Sequence, residues 1–291
     1  MTRWLIVLPI AWVFGTFSAR PAQAQWVEPP GTGWVQIEVV HHRTDTRFGP
    51  TGSIEPLFNK DSRSLTTSVF TTASIGIVPG LDVWTQVPVH RLQFNDVVDT
   101  RTSTGLGDPR FFVRIGPRAV GISTRWPVAV RGGVKLPVGD FPVDAEIIPL
   151  TEGQRDWELL IELGRSFHPA PVYVIGWGGY RWREVNPAID RKPGNEYVVH
   201  GAVGGKVGPL SWKVAVDGLF GQPPVRRFPS GFDITLTQDV RRLVQLLPTV
   251  GWQWGPGSLQ IGGRLPIAGR NLPAGPAFTV GCFAAWGTSL W

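Results

Sequence analysis

A period of two constrains this chain more than any other feature. In "SLTTSVFTTASIGIVPG" (Ser64–Gly80) one series reads Leu65, Thr67, Val69, Thr71, Ala73, Ile75, Ile77. The other reads Ser64, Thr66, Ser68, Phe70, Thr72, Ser74, Gly76. Side chains alternate between faces along a strand, so the stretch predicts one long strand with two unlike faces. Val78-Pro79-Gly80 then predicts a tight turn.

The pattern recurs down the chain. Apolar Val35, Ile37 and Val39 oppose Gln36, Glu38 and His42. Leu81, Val83, Val87 and Val89 oppose Asp82, Gln86 and His90. Phe111, Val113 and Ile115 oppose Asp108, Arg110 and Arg114. Trp126, Val128, Val130, Val134 and Leu136 oppose Arg125, Arg131 and Lys135, and Trp157, Leu159, Ile161 and Leu163 oppose Asp156, Glu158 and Glu162. In "VYVIGWGGYRWRE" Val172, Val174, Tyr180 and Trp182 oppose Tyr173, Arg181 and Arg183; Trp177 falls on the polar side, which suggests a bulge. Tyr197, Val199 and Val203 oppose Glu196, His200 and Lys206; Trp212, Val214, Val216 and Phe220 oppose Lys213 and Asp217. Val244, Leu246, Val250, Trp252 and Trp254 oppose Gln245, Thr249 and Gln253, and Leu259, Ile261, Leu265 and Ile267 oppose Gln260 and Arg264. Phe278, Val280 and Cys282 share a face of the last segment. The reading gives about twelve strands.

The connections select the architecture. Short ones fall near 79–80, 116–121, 168–171, 208–209 and 255–257; longer polar ones fall near 46–61, 95–104, 139–151, 185–195, 222–238 and 269–275. A β-sandwich has no reason to alternate short with long. An antiparallel up-and-down transmembrane β-barrel does, with short periplasmic turns, longer outer loops and an even strand count. Its apolar face meets lipid and its charged face turns inward. Trp34, Trp126, Trp157, Trp182, Trp212, Trp252 and Trp254 sit toward strand ends, where aromatic girdles are expected. At the C-terminus either Trp286 or Trp291 closes an alternating, aromatic-ended segment that would serve barrel assembly.

Residues 1–24 read as a signal peptide and 25–291 as one barrel domain. Arg3 precedes the apolar run Trp4–Phe17, and "AQA" (Ala22–Ala24) supplies the small residues of a cleavage site. The mature chain is expected in the bacterial outer membrane, with membrane lipid, the barrel-assembly machinery and a small-molecule solute as partners. Losing Arg3 and Arg20 lowers the net charge from +6 to +4, and no Lys/Arg run exceeds two residues, which argues against nucleic acid. Cys282 is the single cysteine, so neither a disulfide within the chain nor a cysteine-based zinc site is possible.

Few residues suggest chemistry. Gly105-Leu106-Gly107 opens like a nucleotide fingerprint, but Arg110 stands where the third glycine belongs and no helix follows. It reads instead as the end of an outer loop, with glycine permitting close approach or a bulge at the rim. The histidines, His41, His42, His90, His168 and His200, show no nucleophile or metal pattern. No cofactor or catalytic residue is expected. The polar faces hold both signs: cations Arg110, Arg114, Arg125, Arg131, Lys135, Arg181, Arg183, Lys213 and Arg264, and acids Glu38, Asp82, Asp108, Glu158, Glu162 and Asp217. They fit either a salt-bridged filling or a pore lining, since eight strands leave no lumen and sixteen leave a channel. Glu158 and Glu162 should pair with Arg131 and Lys135 across adjacent strands. By parity, charge should be excluded at Val113 and tolerated at Phe112.

Several segments together carry a resemblance: "STGLGDPRFFVRIG", "VKLPVGD", "GQRDWELLIELGRSF", "GYRW" and "LPIAGRNLPAGPAF", in this order. From about residue 60 to its end the chain resembles the outer-membrane transporter family labelled "meta-pathway of phenol degradation". The resemblance implies a barrel channel for hydrophobic or aromatic compounds and supplies no catalytic residues. The terminal "GTSLW" is longer than that family's usual aromatic end. The function expected is passive or facilitated diffusion of small solutes through a charged lumen. The alternatives are a non-conducting structural or adhesive barrel and a membrane-embedded hydrolase.

Overall fold

A computed structural model describes residues 27–58, 61–96, 99–122, 127–167, 169–228 and 231–287. The expected signal peptide, Arg125, Trp126, His168 and Trp291 lie outside these residues.

Twelve antiparallel strands form a closed wall. They are β1 (Gly33–Thr44), β2 (Arg63–Val78), β3 (Leu81–Asn95), β4 in two segments (Thr100–Leu106 and Arg110–Ile115), β5 (Val128–Lys135) and β6 (Asp156–Ser166). Then follow β7 (Val172–Arg183), β8 (Glu196–Val207), β9 (Leu210–Gly221), β10 (Arg242–Trp254), β11 (Gly257–Arg270) and β12 (Ala277–Trp286). Each neighbours the next in sequence, and β1 pairs with β12 from Gly33 opposite Trp286 to His42 opposite Ala277. That last ladder closes the wall between its first and last strands, as a β-structure in hydrocarbon requires, while the upper segment of β4 pairs with β3 alone.

The faces follow the parity of the sequence. Ile161 is 56% exposed while its neighbour Leu160 is 1% exposed. Ile37, Val113, Val199, Val216 and Ile261 are also exposed, whereas Asp82, Glu162 and Glu196 are buried. Such a distribution is inverted relative to a water-soluble protein and natural for a wall facing lipid. Trp157, Trp182, Tyr197 and Phe220 are outward at the long-loop end, and Trp212, Trp252, Trp254 and Trp286 at the short-turn end. Trp34 is not part of this girdle. It shares inward parity with Gln36 and Glu38 and stacks on Phe283, ring centroids 5.7 Å apart.

Three local expectations are corrected. No bulge occurs at Trp177: β7 keeps unbroken register with β6 and β8, and the indole simply points inward. The connection after β4 is not a plain tight turn: it holds a 3-10 turn at Pro117–Val120, and Ile122 N returns to the Pro117 carbonyl. The loop before β4 is shorter, because Thr100–Leu106 already pairs with β3. Gly105-Leu106-Gly107 therefore leads into a mid-wall interruption of β4, not a rim. Gly107 donates to the Pro88 carbonyl at 2.9 Å, and a Cβ there would meet the His90 ring at 2.4 Å, so only glycine permits the approach.

Chain segments cover both ends. Before β1, Gly31 N donates to the Gly76 carbonyl (2.9 Å) and Glu28 N to Asp82 Oδ2 (2.8 Å). At the other end two small three-stranded sheets form from the loops: Thr46–Phe48 with Ile54–Pro56 and Leu272–Pro273, and Val225–Arg227 with Arg191–Lys192 and Asp233–Thr235. Residues 136–155 fold beside the upper segment of β4, where Arg101 Nη1 donates to the Ala145 carbonyl at 2.7 Å.

Depth in the wall should set the cost of an outward charge. Ile161 lies at the centre of β6, Val113 close to the short-turn end of β4. Ile161→Arg is expected to destabilise the barrel by about 2–4 kcal/mol, and Val113→Arg by less. Urea-titrated folding into lipid vesicles measures both; equal costs would argue against this placement of the membrane.

Candidate functional site

The lumen is built by inward residues of alternating parity on adjacent strands, so acids and bases from neighbouring strands meet. Burying single charges is expensive, and the cost falls only when each has a close partner. Near the short-turn end, Asp82 (0% exposed) accepts from Arg114 Nη2 at 2.6 Å. Arg114 Nη1 reaches Glu162 at 3.3 Å, and Glu162 also pairs with Arg131 Nε at 3.0 Å. The chain of ions runs β3, β4, β6, β5.

A second cluster fills the long-loop half. Glu158 pairs with Arg181 at 2.9 Å and Arg110 at 3.7 Å. Arg181 continues to Glu196 at 2.6 Å, and Arg183 joins Glu196 (3.3 Å), Asp156 (3.5 Å) and Glu152 (2.7 Å). Lys135 pairs with Asp156 at 2.9 Å and Asp108 at 3.4 Å, and with Glu152. Asp108 is also a loop anchor, accepting from Val138 N (3.2 Å) and Glu152 N (2.9 Å). Burial alone would raise the Glu152 carboxyl, but Arg183, Lys135 and Arg241 outweigh it and hold the group well below the ordinary carboxylate range. Here the loops enclose a cavity of about 300 Å³ lined by Phe141, Glu152, Gln154, Arg183, Glu196 and Arg241 among others.

Between the clusters lies an aromatic belt. The Arg131 guanidinium carbon is 5.0 Å from the Phe112 ring centroid, 5.3 Å from Trp84 and 5.5 Å from Trp177. Trp84 and Phe112 meet edge to face at 4.9 Å, and Trp177 stacks on His200 at 5.1 Å with planes 7° apart. His200 Nδ1 then meets Asp217, which also accepts from Gln245 Nε2 at 3.4 Å. From Asp82 to Gln245 this contact series reaches from β3 to β10. Cations over ring faces in a desolvated setting are worth about 2 kcal/mol or more. Phe112 is only 4% exposed within the belt, so the expectation that it tolerates a charge is corrected: its inward face is packed, not open.

On the opposite wall Arg264 Nη2 binds Glu38 at 2.8 Å and its guanidinium lies over Phe70. Lys213 makes no ion pair within 4.0 Å among the described residues. Of the expected lumen charges, Asp82, Lys135, Glu158, Glu162 and Arg183 are buried, and Arg125 is outside the description. The expected pairing is corrected in detail. Lys135 stands directly opposite Asp156, while Glu158 turns to Arg110 and Arg181. Glu152, Glu196 and Asp156 were not among the expected pore residues, nor were Trp84, Phe112 and Trp177. The parity of Asp156, Glu196 and the three aromatics carried the signal. Glu152 lies in a loop, where no period exists to read.

Ser68 Oγ lies 2.7 Å from His90 Nδ1, the one serine–histidine contact among the described residues. No described carboxylate hydrogen-bonds that ring. No described group of three or more His, Cys, Asp or Glu could hold a metal ion.

The profile of the family described as "Putative MetA-pathway of phenol degradation" matches residues 49–280. No curated protein matches the sequence. Among solved structures, the COG4313 outer membrane channel from Pseudomonas putida F1 aligns over 92% of this chain and 100% of its own, with TM-score 0.70 and 14% identity. At that identity the likeness concerns the fold. The Ralstonia pickettii toluene transporter TbuX aligns over 88% of this chain and 90% of its own at TM-score 0.28 and 8% identity, too distant to carry an argument.

Two outcomes follow from these contacts. Glu162→Leu strands Arg131, whereas Arg114 keeps Asp82, and should cost about 3–5 kcal/mol. Adding Arg131→Leu should recover most of it, measured as a double-mutant cycle in urea. At the short-turn end, burial raises the Glu28 carboxyl above its ordinary value near 4.5, with Arg114 opposing and Asp82 adding. A carboxyl raised in the folded state lends stability at pH below that ordinary value and loses it as pH rises through the raised one. Glu28→Gln should therefore flatten the decline in the heat-modifiability midpoint between acid and neutral pH. An unchanged decline would show that Glu28 does not cause it.

Proposed function

The chain belongs to the MetA-pathway phenol-degradation family, and from that premise and the lumen geometry we propose an outer-membrane channel for small, mainly apolar aromatic solutes. Passage is by passive or facilitated diffusion. Residues 1–24 direct export and are removed, and the long loops face outward from the cell. The protein is not an enzyme in this reading.

The observation that carries the proposal is the belt around Arg131, with Trp84, Phe112 and Trp177 turned into the lumen. Most described lumen charges are compensated locally, with Lys213 an exception, so they create little net field to select an ion. The half-buried rings of Trp84 and Trp177 instead favour stacking with a neutral aromatic solute. Glu38, Asp82, Asp108, Glu158, Glu162 and Asp217, with their basic partners, line the route and keep it polar enough to remain wetted.

Proteoliposome permeation tests this. The native protein should pass phenol-sized aromatics faster than a sugar of similar volume. Trp177→Ala should lower that preference by roughly 3–10-fold, the scale of one aromatic contact. Equal passage of both solutes would reject the selectivity, and passage of neither would favour the non-conducting structural or adhesive barrel. The Ser68–His90 contact supports one further reading, a membrane-embedded hydrolase. Ester or lipid hydrolysis abolished by Ser68→Ala would establish it.

A further inference from the structure

Many described arginines have an acid beside them. Arg242 and Arg270 are among those that do not. They are the first residue of β10 and the last of β11, and they stand directly opposite each other in the ladder. Both belong to the outward series: Val244 and Leu246 follow Arg242, and Phe220 stands across from it on β9. Arg242 is exposed and Arg270 half-buried. Neither makes an ion pair with a described residue.

Like charges directly opposite on adjacent strands destabilise a sheet unless something neutralises them. No described acid does so here, although most described lumen cations have an acidic partner. The position supplies the missing partner. The two arginines sit just beyond the apolar band, level with Phe220 at the long-loop end, where the outer leaflet's headgroups begin. That leaflet is built of phosphorylated glycolipid. Two guanidinium forks side by side match the oxygens of a phosphate, and the ring of Phe220 flanks them on the lipid side.

We infer that Arg242 and Arg270 form a binding site for a phosphate group of an outer-leaflet glycolipid, of the lipid A type. The lipid's phosphate bridges the two guanidinium groups and its acyl chains lie along Leu246, Ile267 and Phe220. The site fixes the height of the β9–β11 wall in the membrane and is independent of what passes through the lumen.

The full barrel, purified in detergent, is titrated with lipid A, with dephosphorylated lipid A and with inorganic phosphate, and binding is read by native mass spectrometry. Lipid A should bind. Arg242→Gln with Arg270→Gln should weaken it about tenfold or more, from the attraction of two basic residues for an anionic headgroup. Arg91→Gln, another outward arginine, should leave it unchanged. Lysine at both positions keeps the charge, loses the fork, and should bind with intermediate strength; it also serves if the glutamine pair fails to fold. Heat-modifiable migration on gels confirms that each variant is a barrel. Undiminished binding by the folded double variant, equal binding of the dephosphorylated lipid, or full competition by millimolar inorganic phosphate would each overturn the inference. None of these outcomes bears on solute permeation, so the channel reading stands or falls separately.

Discussion

Every backbone group within the hydrocarbon must find its partner inside the wall, and the ladder between β1 and β12 makes that possible. Once Gly33 lies opposite Trp286, no strand has a free edge at that seam, and each side chain is committed to lipid or to the lumen. The commitment is strict because the period is two. Ile161 cannot leave the lipid without taking Leu160 and Glu162 out of the lumen. Register therefore decides the chemistry of both faces together, and an error of one residue would put a row of carboxylates into hydrocarbon.

Closing the wall creates the second problem, an interior too narrow to hydrate many ions freely. The chain meets it with continuous ion pairing. Arg114 serves both Asp82 and Glu162, and Arg183 serves Glu152, Asp156 and Glu196. Shared partners tie strands that do not touch through their backbones. Arg131 extends the same logic to ring faces, adding Trp84, Phe112 and Trp177 to its pair with Glu162. The belt is consequently a structural brace and an aromatic stretch of the lumen at once.

The strands and their faces were legible in the sequence because alternation is a local property. Val113 and Arg114 announce their sides without knowledge of any neighbour. Pairing was less legible. Parity brought Lys135 and Glu158 to one face, but the ladder put Lys135 opposite Asp156, and that register depends on the turns and loops between strands. Trp177 was misjudged for a different reason. A large aromatic at an inward position looks like a fault in the pattern only if the lumen is taken to be wholly polar. Gly105 to Gly107 resembled a loop end because glycine and the Asp108-Pro109 pair mark turns, yet β3 continues to pair on both sides of the break. Glu152 could not be found at all, since its role depends on a loop folding back over Lys135 and Arg183.

That loop shows how far the outer mouth and the lumen form one unit. Asp108, on the wall, receives the backbone of Val138 and Glu152, and Glu152 in return closes over two wall cations. Removing the loop would leave Lys135 and Arg183 with fewer partners in a half-dry setting, so the loop neutralises the wall as much as the wall positions the loop. A cover that merely rested on the rim could open without electrostatic consequence. This one cannot, because its carboxylate belongs to the same network that holds β5, β6 and β7 in register. The cavity at the mouth and the belt below it are linked through Arg183, Glu196, Arg181 and Glu158, an unbroken line of charge from loop to mid-lumen.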